Sequence, residues 1–196
     1  FIIPLNYNVS KTRRRKIMKK DNNIFLNNAA NFVTLLNMVC GSMSIVATMN
    51  GKYKTAIAMI WIAAIADRYD GIVARMLGTS SDMGVQMDSM GDIISFGVAP
   101  SVHAYNSVFL HAPSNIKLLG GIATVMLICA GALRLARYNI VGLDEDNSFM
   151  GLPITIGGSL LAVLLIFRRN IAPVTFVVVM IILSILELSK IRIKKR

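Results

Sequence analysis

Acidic residues are scarce in this 196-residue chain: 10 Asp+Glu stand against 21 Lys+Arg, and charged residues of both signs make up only 16%. A soluble domain of this length carries about a quarter of its residues as charges, so the deficit excludes an ordinary water-solvated fold. Cysteine is scarcer still. Cys40 and Cys129 both sit inside apolar runs, where a small buried thiol is the ordinary reading and a disulfide-stapled secreted scaffold is excluded. Intrinsic disorder is excluded by the 55% hydrophobic content. The basic residues do not form a folded polar surface of the kind that binds nucleic acid, so no nucleic-acid partner is expected.

What is present is apolar sequence in long blocks. About 20 helical residues cover the ~30 Å hydrocarbon layer of a bilayer, and the blocks read as six spans at roughly 30–49, 54–76, 85–107, 115–137, 152–167 and 171–189. The expected fold is therefore all-α: an integral membrane protein of six transmembrane helices over 30–189. It is preceded by a basic segment, 1–29, and followed by a basic tail, 190–196. Span five ends at Arg168-Arg169-Asn170 with Pro173 close behind, which predicts a tight reversal into span six.

Six spans put both termini on one side. That side collects Lys11 to Lys20, Arg68, Arg75, Arg134, Arg137 and the C-terminal cations, 16 of the 21 basic residues, and leaves Lys52, Lys54, Lys117, Arg168 and Arg169 for the other. By the positive-inside bias the termini are cytoplasmic. Residues 17–29 mix Ile17, Met18, Ile24, Phe25 and Leu26 with Lys and Asn, the pattern of an interfacial helix on anionic lipid. The basic N-terminal run lies too far from the first apolar block to read as a cleavable signal.

Four of the ten acids fall where a membrane protein should least tolerate them: Asp67 and Asp70 at the end of span two, Asp88 and Asp92 at the start of span three. A carboxylate at that depth is costly enough to be functional by default. Asp67, Asp70, Gly71 and Ala74 occupy i, i+3, i+4 and i+7, one helical stripe, and Asp88 and Asp92 are i and i+4 on the next helix. Antiparallel neighbours would aim all four into one cavity, where they repel unless cations sit between them. Oxygen donors favour Mg²⁺ or Mn²⁺, and two such ions suit displacement at a phosphorus centre. Gly71 and Ala74 leave room for a phosphate or a flat ring beside the helix, and Arg75 can grip a diphosphate through two donors. On physical grounds alone a carboxylate-lined ion or solute transporter competes with a membrane enzyme acting on a phosphate-bearing lipid.

Asp67-Arg68-Tyr69-Asp70-Gly71-Ile72-Val73-Ala74-Arg75, followed by Gly84, Asp88 and Asp92, resembles the signature D-x2-D-G-x2-A-R-x8-G-x3-D-x3-D of the CDP-alcohol phosphotransferase family at all eight fixed positions. Asn31-Phe32-Val33-Thr34 is similar to that family's nucleotide-contacting segment. The stretches Ser95 to Pro100, Ala132 to Asn139 and Gly151-Leu152-Pro153 resemble its serine-transferring branch.

The resemblance implies a six-helix, commonly dimeric enzyme in the cytoplasmic membrane, its active site open to the cytoplasm with a lateral path to lipid. It would move a phosphatidyl or archaetidyl group from a CDP-linked lipid to L-serine and release CMP; glycerol 3-phosphate and an inositol phosphate are alternative acceptors. Carried over by position, Asp67 and Asp88 would touch both divalent cations, Asp70 the first, and Asp92 the second while serving as general base. Asn31, Phe32, Val33, Thr34, Gly71, Ala74, Arg75, Ser81 and Gly84 would form the CDP-lipid site. Within the branch-like segment, Arg134, Arg137, Tyr138 and Asn139 are candidates for the acceptor, a guanidinium being suited to its carboxylate. His103 and His111 read as interfacial residues on the outer side, and Trp61 carries no specific message.

Overall fold

A computed structural model describes residues 34–77, 82–141, 148–189 and 192–194. Over residues 70–77, at Asp82 and Val141, and over 148–150 and 192–194 only the backbone is described. The 1–29 segment with its expected interfacial helix lies outside the described residues.

Six helical rods account for nearly all of the described chain. They are α1 (Thr34–Met49) and α2 (Tyr53–Leu77), a composite third rod, then α5 (Ser114–Val141), α6 (Ile154–Ile166) and α7 (Pro173–Leu188). The third rod runs α3 (Asp82–Asp92), a π-helical turn (Ile93–Val98), α4 (Ala99–Ala104) and a second π-helical turn (Tyr105–Phe109). Each rod falls within a few residues of an apolar block. One difference from an all-α chain is a three-residue antiparallel ribbon, β1 (Ser148–Met150) against β2 (Arg192–Lys194), with Phe149 opposite Ile193. Ser114–Ile140 is long and apolar enough to cross a membrane, with mean hydropathy 2.0, whereas Thr34–Met49, Ile154–Ile166 and Pro173–Leu188 are apolar but shorter.

The rods alternate in direction, and side-chain contacts identify their two ends. At one end Tyr53, the first residue of α2, donates to Asn106 at 2.9 Å, faces the ring of His103 at 5.4 Å and lies under the Arg168 guanidinium at 4.7 Å. The reversal after α6 is tight, closed by Asn170 N–H to Phe167 O at 2.9 Å, and Pro173 opens α7, as the Arg-Arg-Asn…Pro spacing predicts. The opposite end collects Asp67, α3, the last turns of α5 and α7, and the ribbon.

Two apolar clusters hold the rods together. Phe109, Leu127, Leu161, Leu165, Phe176 and Met180 join α5, α6 and α7 to the end of the third rod. Ile60, Ala63, Phe96, Ala99, Leu135, Ile154 and Ala162 join α2 and the first π turn to α5 and α6. The outer faces are equally apolar: Leu118, Val125, Leu133, Ile166 and Ile185 are exposed. A continuous apolar exterior needs a cover other than water.

His103 is fully buried among the rods, at the end marked by Tyr53 and Arg168, with Nδ1 3.4 Å from the Thr48 hydroxyl. An isolated His in an apolar block does not announce which way it points, and here α1 and α2 supply polar partners that draw it inward.

Candidate active site

Helix α2 carries Asp67 toward its C-terminal third and α3 carries Asp88 and Asp92 one turn apart. One carboxylate oxygen from each lies within 4.8 Å of the others. Three carboxylates this close repel one another strongly, and hard oxygen donors in such a cluster fit a divalent cation that offsets the repulsion. Asp70 lies one turn beyond Asp67 in α2, where, as for Gly71, Ala74 and Arg75, only the helical backbone is described. Asn31, Phe32, Val33 and Ser81 lie outside the described residues. Thr34 is buried and Gly84 half-buried.

Asn37, which the sequence reading passed over, completes the cluster from α1. Its side chain is 1% exposed, its Nδ2 donates to Asp92 Oδ1 at 3.4 Å, and its Oδ1 is buried without a hydrogen-bond partner. The backbone brings it close: Gly91 on α3 presses against Asn37 and the Thr34 carbonyl, and Ser95 Oγ donates to Asn37 O at 2.9 Å. A Cβ on Gly91 would come to 3.4 Å from Asn37 Nδ2, an ordinary contact distance, so α3 passes close beside the amide at this point. The signal in the sequence was an Asn one turn beyond Thr34 in an otherwise apolar block.

Of the acceptor candidates, Asn139 donates to Ser89 Oγ at 3.0 Å, the residue next to Asp88. Arg134 is 7% exposed, its Nε has no hydrogen-bond partner, and it lies within the electrostatic reach of Glu187, Asp92 and Tyr138. Arg137 reaches away from this group: its Nη1 donates to the Leu188 carbonyl at 3.5 Å and caps the end of α7.

A groove of about 380 Å³ opens sideways between α2 and α6 and leads to Asp67 and Arg68, with Trp61, Ala64, Ile156, Leu160 and Val163 among its walls. Apolar walls ending at a carboxylate and a guanidinium match an amphiphile lying with its tail outward and its charged head inward. Trp61 thus acquires a place that its position in an apolar run did not reveal.

Residues 27–187 match the family model described as CDP-alcohol phosphatidyltransferase. Among curated proteins, the chain is 39% identical over 132 residues to the CDP-diacylglycerol--serine O-phosphatidyltransferase of Methanocaldococcus jannaschii. That match covers 67% of this chain and 57% of the archaeal protein, so the chain spans little more than half of that relative. The proteins of the same name from Bacillus subtilis and Helicobacter pylori strain 26695 are 34% and 31% identical, over 82% and 83% of this chain and 86% and 70% of their own lengths.

Proposed function

Given that the chain belongs to the CDP-alcohol phosphatidyltransferase family, we propose that it transfers a phosphatidyl-type group, or its archaetidyl counterpart, from a CDP-linked lipid to the hydroxyl of L-serine, releasing CMP. The observation that carries the reading is the meeting of Asp67, Asp88 and Asp92 from two helices beside a lateral apolar groove. Family membership favours it over a carboxylate-lined transporter. Serine as acceptor is supported by the names of the relatives.

The lipid enters along the α2–α6 groove with its diphosphate toward Asp67 and Arg68. Arg75, with Asn31, Phe32, Val33, Thr34, Gly71, Ala74, Ser81 and Gly84, holds the CDP portion. Asp67, Asp70, Asp88 and Asp92 would hold two divalent cations, Mg²⁺ or Mn²⁺, which when bound stabilise charge on the entering and leaving oxygens. Asp92 accepts the proton of the serine hydroxyl as that oxygen bonds to the lipid-side phosphorus. The bond from that phosphorus to the bridging oxygen breaks, and CMP leaves with the electron pair. Asn37 fixes the Asp92 carboxylate so that one oxygen remains turned to the acceptor. Arg134 takes the serine carboxylate, and Tyr138 and Asn139 border the same space.

The apolar exterior supports a multi-pass protein of the cytoplasmic membrane with the carboxylate end on the cytoplasmic side, and a second copy of the chain covering part of that exterior. The deciding experiment follows CMP released from CDP-diacylglycerol by purified protein in detergent, offered L-serine, glycerol 3-phosphate or inositol phosphate in turn. CMP release driven by serine is expected; release driven by another acceptor and not by serine would overturn the assignment.

A further inference from the structure

Glu187 sits in the last turn of α7, at the end of a run in which every residue from Phe176 to Leu186 except Ser184 is apolar. It is 1% exposed and its Oε2 has no hydrogen-bond partner. A buried carboxylate left in that state is expensive unless a cation or donor joins it.

The surroundings are shaped to it. Gly157 on α6 faces the carboxylate, where a Cβ would stand 2.7 Å from Oε1, and Gly131 on α5 lies beside it at ordinary contact distance, its own room limited by Ile154. Gly151, at φ +77°, packs on the Glu187 carbonyl, and Leu152 N–H donates to Leu186 O at 3.0 Å, fixing the approach to α6 against this turn. Arg134 lies one turn beyond Gly131 on α5 and also carries a buried nitrogen without a partner. A carboxylate oxygen and a guanidinium nitrogen, each without a hydrogen-bond partner, therefore lie within electrostatic reach of one another from two helices. Complementary to both is a small zwitterion.

We propose that Glu187 is the acceptor-selecting residue of this site: its carboxylate takes the ammonium group of an amino-acid acceptor whose carboxylate lies on Arg134. The inference rests on the amino-acid acceptor proposed above. A guanidinium and a carboxylate on two packed helices match the two charges of an α-amino acid and leave its side-chain hydroxyl free to turn toward Asp92. The same carboxylate repels an acceptor that brings a phosphate in place of an ammonium, so Glu187 selects by exclusion as well as by attraction.

The test compares wild-type protein with Glu187→Gln in CDP-diacylglycerol mixed micelles, measuring KM for L-serine and for the CDP-lipid, and the rate with 3-hydroxypropanoate, which lacks the ammonium. Loss of a charge-assisted hydrogen bond should raise the serine KM about tenfold to a hundredfold, leave the CDP-lipid KM unchanged, and narrow the preference for serine over 3-hydroxypropanoate. A purely structural role would lower stability without moving that preference. An unchanged serine KM or preference in folded Glu187→Gln overturns the inference. Should that variant fail to fold, Gly157→Ala displaces the carboxylate instead and must raise the serine KM; no change there overturns it equally. Wild-type protein that releases CMP with another acceptor and not with serine would refute the proposed reaction itself, a result distinct from a serine-active enzyme indifferent to Glu187.

Discussion

Asn37 on α1 and Asp92 on α3, 55 residues apart in sequence, meet through a 3.4 Å hydrogen bond from Nδ2 to Oδ1. The bond occupies one oxygen of the proposed base and fixes the orientation of the other. Asn37→Leu removes it. Because hydrogen bonds to charged groups contribute about 1.5–3 kcal/mol, kcat should fall about tenfold to a hundredfold with little change in CDP-lipid KM. Steady-state CMP release checks this; a wild-type kcat would show that Asp92 needs no such support.

Asp92→Asn keeps the size of the side chain and removes its ability to take a proton. CDP-lipid binding should persist while turnover is abolished. Binding by equilibrium dialysis in detergent, beside an assay of CMP, separates the two, and near-normal turnover would remove Asp92 from the role of base.

Chelation of divalent ions should stop CMP release, and adding Mg²⁺ or Mn²⁺ back should restore it. Full activity in excess chelator would contradict a metal held by the Asp67, Asp88 and Asp92 cluster.

The groove between α2 and α6 should be the entry for lipid. Ser159 forms part of its wall, and Ser159→Trp would fill it. The CDP-lipid KM should rise several-fold while the serine KM stays as it was. Equal effects on both, or none, would place the lipid elsewhere.

Arg134 and Arg137 are three residues apart yet face different partners. Arg134→Ala should raise the serine KM about tenfold or more, as expected for loss of a charge-assisted contact. Arg137→Ala removes a cap on the Leu188 carbonyl and should cost about 1 kcal/mol or less in stability, the scale of one weak hydrogen bond. Kinetics and thermal unfolding in detergent distinguish the two, and a serine KM raised by Arg137→Ala alone would reverse their roles.

Much of this arrangement was legible because charge is so costly in apolar sequence. Asp67, Asp88 and Asp92 stood out for that reason, and their helical spacing predicted the convergence that the structure shows. The rods were legible from block length, to within a few residues at each end. Asn37 and His103 were harder, because a single polar residue in a block does not reveal its face until neighbouring helices are placed. Glu187 carried the same signal as the four aspartates, a carboxylate in an apolar run, but stood alone; its relation to Gly131, Arg134 and Gly157 exists only once α5, α6 and α7 pack together. Arg137 looked equivalent to Arg134 because chain distance says nothing about the carbonyl it meets at the end of α7.

The π-helical turn at Ile93–Val98 joins α3 to α4 within the third rod. Each residue of an α-helix advances about 100° around the axis, and a π turn accommodates one more residue than the α-helical repeat requires. Deleting a single residue within 93–98 would let the rod close into continuous α-helix, with its length and hydropathy almost unaltered. Because the wider turn absorbs that residue, the faces of α3 and α4 would keep nearly the same angular relation, and Asp88 and Asp92 would still aim where they do. The rod therefore works as a shaft with slack at one joint: a residue removed at 93–98 is taken up by the turn, whereas one removed from continuous helix in α4 would turn the carboxylates by about 100° against the rod's far end.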